Sequence, residues 1–427
     1  MSESDENCQP PRSTRTRPGP SRPRWLRSVP DAVFLTVILC LLSANDSRGQ
    51  EVPAAIRPEH IIEQFDMDPD GDLLVLPVTI DRQVFPFILD TGTTLNAYDA
   101  RLRNHLGPVQ EFVGIRTASG NETLKLYDPP RAFLGRFNLR TPQGVTCMDM
   151  AGVRRATGHE FYGIIGMTFL LDRIVHLNFD QGKLSFLTSS APRVGTAVPL
   201  AIVKEMARVN VDFEGLGVRS LLVDTGSVGV GSGNLRSADF DALAKRGELV
   251  VLGKGLSADL SRQQAPIRYG SVKRLTVGPE RHEGLIFSDH VNSDILGMGF
   301  WKRYNVTFDF PRHVVYLQKN QYVPALDDAK RDLSGLHLTG KNGRVVVHGV
   351  DNGSPGAVAG ILPGDLLAKL DGKDAAGITI RILRRQLCSK GKEVSLAMQR
   401  NGKAFDVVLK LPEQRSIGLS LERAEGQ

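Results

Sequence analysis

The sequence predicts a mainly β protein built from two similar β-rich halves and a separate C-terminal module. Short alternating strands, frequent glycines and few long helical periods favour β structure. A stretch around Gly166 recurs around Gly297 without gaps, which indicates two copies of one structural unit. After residue 332 the pattern changes and a strand is expected at residues 345–347, which indicates a further domain.

Composition and charge exclude several classes of protein. The chain has 427 residues, of which 41% are hydrophobic and 23% are charged, as is usual for globular proteins. Lys and Arg number 53 against 47 Asp and Glu, so no basic stripe for nucleic acid is expected. The histidines lack the zinc-peptidase spacing, and Cys147 and Cys388 alone make no metal framework. We therefore expect neither a metal nor another cofactor, and no nucleic-acid partner.

The first 50 residues are interpreted as a disordered basic leader followed by a signal peptide. The beginning is rich in Pro, Ser and Arg, which predicts disorder. The apolar run from Ala32 to Leu42 is shorter than the ~20 residues that span a bilayer. A basic region, an apolar run and Ser43-Ala44 fit a secretory signal. This predicts export to the periplasm or the medium, and an uncleaved membrane anchor is the alternative. Removal of a propeptide, with residues 46–63 as a candidate, stays open.

The internal repeat extends beyond the two glycines. Ile164, Gly166, Met167 and Phe169 match Ile295, Gly297, Met298 and Phe300. Asp-Thr-Gly triplets at Asp90 and Asp224 recur in the same order and with nearly the same spacing, each after an apolar strand. The predicted boundaries are 1–50 for the leader and signal peptide, 65–192 for lobe 1, 193–320 for lobe 2, 321–332 for a linker, 333–412 for the C-terminal domain and 413–427 for a tail.

The paired triplets favour a catalytic site over two coincidental turns. Two carboxylates held side by side share a proton, because like charges ~3 Å apart cannot easily both ionise. One can then act as a base on water, and the other as an acid towards a carbonyl oxygen. We therefore predict Asp90 and Asp224 as the catalytic pair. Predicted supporting residues are Thr91 and Thr225, which can bond across the interface, Thr93 and Ser227, which can hold carboxylate oxygens, and Gly92 and Gly226, which let backbone pack closely.

With these motifs, the region from about Leu73 to Leu317 resembles the aspartic peptidases of the pepsin and retropepsin class. Each half has Asp-Thr-Gly followed by Thr or Ser, and later an apolar-apolar-Gly signature. The resemblance implies a two-lobed acid-protease β-barrel fold, with Gly166 and Gly297 packed beneath the catalytic loops. The short lobes resemble two retropepsin domains fused in one chain, which implies activity as a monomer.

The same resemblance implies a β-hairpin flap over the substrate. The candidate in lobe 1 is the turn at Arg116–Asn121, with Ser119 and Gly120 as the flap residues. In lobe 2, Gly253-Lys254-Gly255 occupies the comparable place.

The segment from Leu333 to Leu411 resembles a PDZ domain. The resemblance lies in the string from Gly353 to Asp365, which contains Gly353-Ser354-Pro355-Gly356, and in the strand-like run that follows it. It implies an α+β domain in which the loop Ser334–Leu338 captures a peptide C-terminus and a helix at Ile380–Leu387 flanks the groove. The loop residues are Gly335, Leu336, His337 and Leu338. A packing module that binds no free ligand is the alternative.

Two functions follow from these predictions. The first is an aspartic endopeptidase that acts on polypeptides, with the PDZ module recruiting or orienting them. The second is a non-catalytic protein that grips a peptide without cutting it. The presence of Asp in both triplets favours the first.

Overall fold

The computed structural model describes residues 55–67, 73–117, 120–157, 159–227, 231–258, 264–290, 293–321, 333–341, 344–351, 353–376, 378 and 380–413. The predicted leader, nearly all of the linker and the tail after residue 413 lie outside them. The chain divides between Pro53 and Ala54, and every described residue lies in the second unit. The prediction of a mainly β protein is confirmed. No helix in the described ranges has the length and hydrophobicity needed to cross a membrane.

The first half of the protein extends from Ile61 to Leu187. Its strands are β1 (Ile61–Asp66), β2 (Val75–Ile80), β3 (Gln83–Leu89), β4 (Ala97–Asp99), β5 (Val109–Thr117), β6 (Gly120–Tyr127), β7 (Ala132–Leu134), β8 (Phe137–Asn138), β9 (Val145–Met148), β10 (Gly163–Ile165), β11 (Ile174–Asn178) and β12 (Lys183–Leu187). Its helices are α1 (Ala151–Thr157) and α2 (Met167–Leu170). Strands β2 to β10 form one sheet in the order β5-β6-β9-β4-β10-β3-β2-β7-β8.

The second half extends from Thr196 to Lys319. Its strands are β13 (Thr196–Val203), β14 (Met206–Phe213), β15 (Gly217–Val223), β16 (Gly233–Arg236), β17 (Leu249–Ala258), β18 (Gln264–Val277), β19 (Glu280–His290), β20 (Ile295–Leu296), β21 (Tyr304–Asp309) and β22 (Val314–Lys319). Its helices are α3 (Ser237–Lys245) and α4 (Met298–Trp301). These strands continue the sheet that contains β1, β11 and β12, in the order β1-β12-β11-β21-β22-β13-β14-β15-β20-β16-β19-β18-β17.

Tight turns of matching type open the two halves. Asp81 and Arg82 connect β2 to β3, and Lys204 and Glu205 connect β13 to β14. All four residues have positive φ, between 47° and 68°. Two-residue hairpins favour this conformation because its twist matches that of the flanking strands. Strand β3, after the first turn, leads directly to the first triplet, whereas β14, after the second turn, is followed by β15 before the second triplet.

Strands β11 and β21 join the two halves into one continuous sheet. They pair antiparallel, with Val175 opposite Phe308 and His176 opposite Thr307. On either side lie β12 and β22, and then β1 and β13, so that the two halves contribute equivalent strands. Because β1 begins at Ile61, the candidate propeptide at 46–63 includes part of this sheet, and the first half starts before residue 65. Removal of the whole candidate segment would therefore delete half of an edge strand.

One hydrophobic core extends through both halves. Its largest fully buried side chains include Phe179 and Phe186 from the first half and Phe300, Trp301 and Phe308 from the second. Burying one such aromatic side chain contributes about 2–3 kcal/mol. The two halves thus share one core, and both triplets are attached to it.

The C-terminal segment, residues 333–413, has a core of its own. Its strands are β23 (Leu336–Lys341), β24 (Arg344–Val350), β25 (Leu366–Leu370), β26 (Lys373–Asp374), β27 (Glu393–Arg400) and β28 (Lys403–Lys410). Its helices are α5 (Pro355–Val358) and α6 (Ile380–Leu387). The main sheet has the order β23-β24-β25-β27-β28, and its apolar side chains form a cluster separate from the shared core. A separate core gives this segment the means to fold by itself.

Acid should weaken the joint between the halves through His176. This side chain is 6% exposed, and its Nδ1 lies 2.9 Å from the Thr307 hydroxyl. Burial lowers the pKa of His176 to about 4 from 6.5. The unfolded chain therefore takes up the proton first, and stability falls as the pH drops from about 6.5 to 4. The loss attributable to His176 should reach roughly 3 kcal/mol.

We expect His176→Asn to reduce this acid-dependent loss, measured by urea unfolding between pH 4 and pH 7.5. The same substitution at the exposed His313 serves as the control and should leave the pH dependence unchanged. An identical pH dependence in wild type and His176→Asn would contradict the assignment.

Candidate active site

Equivalent strands deliver the two aspartates to the same place. β3 pairs in parallel with β10, and β15 pairs in parallel with β20. At the ends of these pairs, the Asp90 amide donates to the Ile165 carbonyl at 3.0 Å, and the Asp224 amide donates to the Leu296 carbonyl at 3.1 Å. The two halves of the sequence repeat therefore form one local structure twice.

Reciprocal hydrogen bonds between two threonines hold the triplets together. The Thr91 hydroxyl donates to the Val223 carbonyl at 2.7 Å and accepts from the Thr225 amide at 3.0 Å. The Thr225 hydroxyl donates to the Leu89 carbonyl at 2.9 Å and accepts from the Thr91 amide at 3.1 Å. Both side chains are almost completely buried. The interface bonds expected for these threonines are thus present in the structure.

Each glycine of the triplets leaves room for the carboxyl group of the other half. A Cβ atom on Gly92 would lie 2.4 Å from Cγ of Asp224, and one on Gly226 would lie 2.3 Å from Cγ of Asp90. These distances are too short for any side chain, so both positions require glycine on grounds of space. The same close approach makes the two carboxyl groups neighbours, so that the charge of Asp90 contributes to raising the pKa of Asp224.

The hydrogen bonds around the two carboxyl groups differ. Asp90 accepts from the Gly92 amide at 2.7 Å and from the Thr93 hydroxyl at 2.8 Å. Asp224 accepts only backbone donors among the described contacts, from Gly226 at 2.9 Å and from Ser227 at 2.7 Å. Ser227 therefore contacts the carboxylate as expected, but through its amide. The hydroxyl group that supports Asp90 has no counterpart at Asp224.

Burial raises the pKa of both aspartates. For Asp90, hydrogen bonds from Thr93 and Gly92 oppose this effect because they stabilise the charged form. The pKa of Asp224 is raised well above its usual value, first by burial and then by the neighbouring charge of Asp90. Because the two carboxyl groups are neighbours, their protons are taken up and released by the pair as a unit.

Gly166 and Gly297 pack against the loops that follow the two triplets. A Cβ atom on Gly166 would lie 2.7–2.8 Å from the carbonyl oxygens of Thr93, Thr94 and Leu95. On Gly297 it would lie 3.1 Å from the Ser227 carbonyl oxygen. Both glycines have extended φ values near −98°, so they are needed for close packing and not for an unusual backbone conformation.

Two contacts at the site were not predicted from the sequence. Asn96, which is 1% exposed, accepts from the Gly166 amide at 2.9 Å and so fixes the base of the first loop. The Thr94 hydroxyl donates to the sulfur of Met206, in the other half, at 3.0 Å. In the second half, the Gly297 amide donates to the backbone carbonyl of Ser232. A backbone group thus takes the place of the Asn96 side chain, so the sequence repeat could not point to Asn96.

The predicted flap segments form hairpins, with one correction. β5 and β6 pair up to Thr117 and Gly120, so Gly120 begins β6, and Ser119 lies outside the described residues. In the second half, β17 and β18 form the hairpin, but Gly253–Gly255 lie within β17, opposite residues 267–269. The prediction of a turn there was wrong, because the hairpin is longer than the glycines suggested.

The predicted carboxylate-binding loop is shorter than expected. Leu336, His337 and Leu338 belong to strand β23, so only Ser334 and Gly335 remain in the loop. Gly335 has a φ of 68°, which favours glycine. The predicted helix is α6, with the expected bounds.

Among the described residues, no group of three or more His, Cys, Asp or Glu side chains is arranged to hold a metal ion. No protein-family model matches the chain, and no curated protein sequence matches it significantly. The chemistry of the site is therefore argued from its geometry.

Replacing Thr91 by Val should destabilise the protein by about 2–4 kcal/mol, because two buried backbone groups of the other half lose their partners. Thr91→Ser keeps the hydroxyl and should cost about 1 kcal/mol through its lost methyl group. Chemical denaturation of both variants measures the difference. Equal stabilities for the Val and Ser variants would show that the reciprocal bonds contribute nothing.

Proposed function

We propose that the protein is an aspartic endopeptidase with two lobes and a C-terminal PDZ-like domain. The observation that carries the proposal is the close approach of the Asp90 and Asp224 carboxyl groups, each of which lies against the glycine of the other half's triplet. The reciprocal bonds of Thr91 and Thr225 support it, because they fix the carboxyl groups from both halves without a second chain. The proposed enzyme therefore works as a monomer and needs no cofactor.

The unequal hydrogen bonding favours a division of roles within the pair. Asp90, with the added Thr93 hydroxyl, is the better stabilised anion and acts as the general base. Asp224 holds the proton and acts as the general acid. Asp90 takes a proton from a water molecule as its oxygen attacks the peptide carbonyl carbon, and Asp224 gives its proton to the carbonyl oxygen. The C–N bond of the tetrahedral intermediate then breaks as the leaving nitrogen takes the proton held by Asp90, while Asp224 takes back a proton from one hydroxyl of the intermediate. A carboxylic acid and an amine are released, and the pair returns to its starting protonation state.

The substrate class follows from the surroundings of the pair. Hairpins β5–β6 and β17–β18, one from each half, are suited to closing over an extended chain. The PDZ-like domain has an edge strand to which a polypeptide can add. We therefore propose a polypeptide substrate, with the domain recruiting it by a C-terminal segment. From the basic and apolar leader, we also propose that the enzyme is exported.

Asp90→Asn and Asp224→Asn should each reduce peptide cleavage by at least about 1,000-fold, because neither variant can complete the proton transfers. Cleavage of a mixed peptide library, followed by mass spectrometry from acidic to neutral pH, measures this. Asp212→Asn, at an exposed position, is the matched control and should retain activity. Cleavage that survives either of the first two substitutions would sink the mechanism. Peptide binding without cleavage by the wild type would favour a non-catalytic binding protein.

Thr93→Ala should move the acidic limb of the kcat/KM profile to higher pH by about one unit. The reason is that Asp90 must be ionised to act as base, and loss of the Thr93 hydroxyl raises its pKa. Ser227→Ala keeps the amide that contacts Asp224, so its acidic limb should stay in place. A shift of the same size in both variants would contradict the division of roles.

A further inference from the structure

One edge of the C-terminal sheet is open to strand addition. Strand β23 is the first strand of the sheet and pairs with β24 on one side only, among the described residues. The backbone groups on its other side face away from the sheet. An extended polypeptide can satisfy such groups by adding a further strand.

Helix α1, from the first half of the protein, lies against this strand. Its Cα atoms come within 8 Å of those of β23, and within the described part of the chain it makes no comparable approach to another element of the C-terminal segment. Because β23 is the edge strand of its sheet, this approach places α1 next to the strand that a polypeptide would extend.

A buried ion pair anchors α1 to the first half. Asp99 is 1% exposed, and its carboxylate accepts from Arg154 within α1. The same carboxylate accepts from the amide of Met150, immediately before the helix, at 3.0 Å. Separating a buried charge from its partner is costly, so α1 is fixed to β4, where Asp99 lies.

The anchor is connected to the catalytic pair by two short routes. β4 pairs with β10, and the carbonyl of Ile165 in β10 accepts from the Asp90 amide. β9, which leads into α1, pairs with β6 of the β5–β6 hairpin. A displacement of α1 would therefore also move Asp90 and the β5–β6 hairpin.

We propose that α1 covers the edge of β23 that has no strand partner among the described residues, and that a polypeptide which adds to this edge displaces the helix. The two events are then linked: polypeptide binding to the C-terminal domain frees the helix that is attached to the catalytic lobe. The polypeptide part rests on the proposed function of the PDZ-like domain, whereas the contact between α1 and β23 does not.

Hydrogen exchange tests the contact directly. The full chain and a chain ending at Gln321 are compared, both carrying Asp90→Asn so that cleavage plays no part. The shorter chain keeps the whole shared core. Amides of α1 should exchange about 10-fold faster or more in the shorter chain, because the covering strand is gone. Helix α3, which contacts only strands of its own half among the larger contacts, is the internal control and should not change. Unchanged exchange in α1 would overturn the proposal.

Competition is tested by binding. A library of peptides with free carboxyl ends is titrated into the full Asp90→Asn chain and into residues 333–412 alone, which retain their own core. The isolated domain should bind its best peptide at least about 10-fold more tightly, since no helix has to be displaced. Equal affinities, or no binding to the isolated domain, would overturn the competition between peptide and helix. Neither experiment uses catalysis, so failure of the peptidase assignment would show only in the cleavage assays.

Discussion

The structure depends on keeping two carboxyl groups in contact inside the protein, where like charges repel and water is scarce. Thr91 and Thr225 provide the restraint. Each hydroxyl satisfies a carbonyl and an amide of the opposite loop, so separating the loops would leave four buried backbone groups and two hydroxyls without partners. Leaving a buried polar group unpaired costs more than a hydrogen bond usually contributes. The loops are thus held at one separation, and this separation brings the aspartates together.

Other features follow from that fixed separation. Gly92 and Gly226 are required because each backbone passes directly over the carboxyl group from the other half. The parallel pairs β3–β10 and β15–β20 end at the two aspartates and fix their positions. The pairing of β11 with β21 joins the two halves in one sheet. The two halves differ in one hydrogen bond. The Thr93 hydroxyl donates to Asp90, whereas among the described contacts Asp224 accepts only from backbone amides. A nearly symmetric scaffold thereby acquires two unequal acids, which is the condition for dividing acid and base roles.

The sequence was most informative where the same local requirement occurs twice. The triplets and the two later glycines were predictable because each recurs in the second half at nearly the same spacing. The helix Ile380–Leu387 was predicted only through the resemblance of the C-terminal segment to a PDZ domain. The extent of β17 was not, since its pairing partners lie more than a turn away along the chain and only the folded register shows where the hairpin ends. Whether Ser227 uses its hydroxyl or its amide is a question of side-chain rotamer, which no spacing of residues encodes.

The pairing of β1 with β12 has a consequence for how the chain folds while it is being synthesised. Ile61 lies opposite Leu187, so β1 can pair only after β12, more than a hundred residues later in the chain, has been synthesised. Contacts between such distant residues form slowly, because a long loop must first be ordered. Asp224 is made later still. A growing chain therefore cannot place the two carboxyl groups side by side until most of both halves has been synthesised.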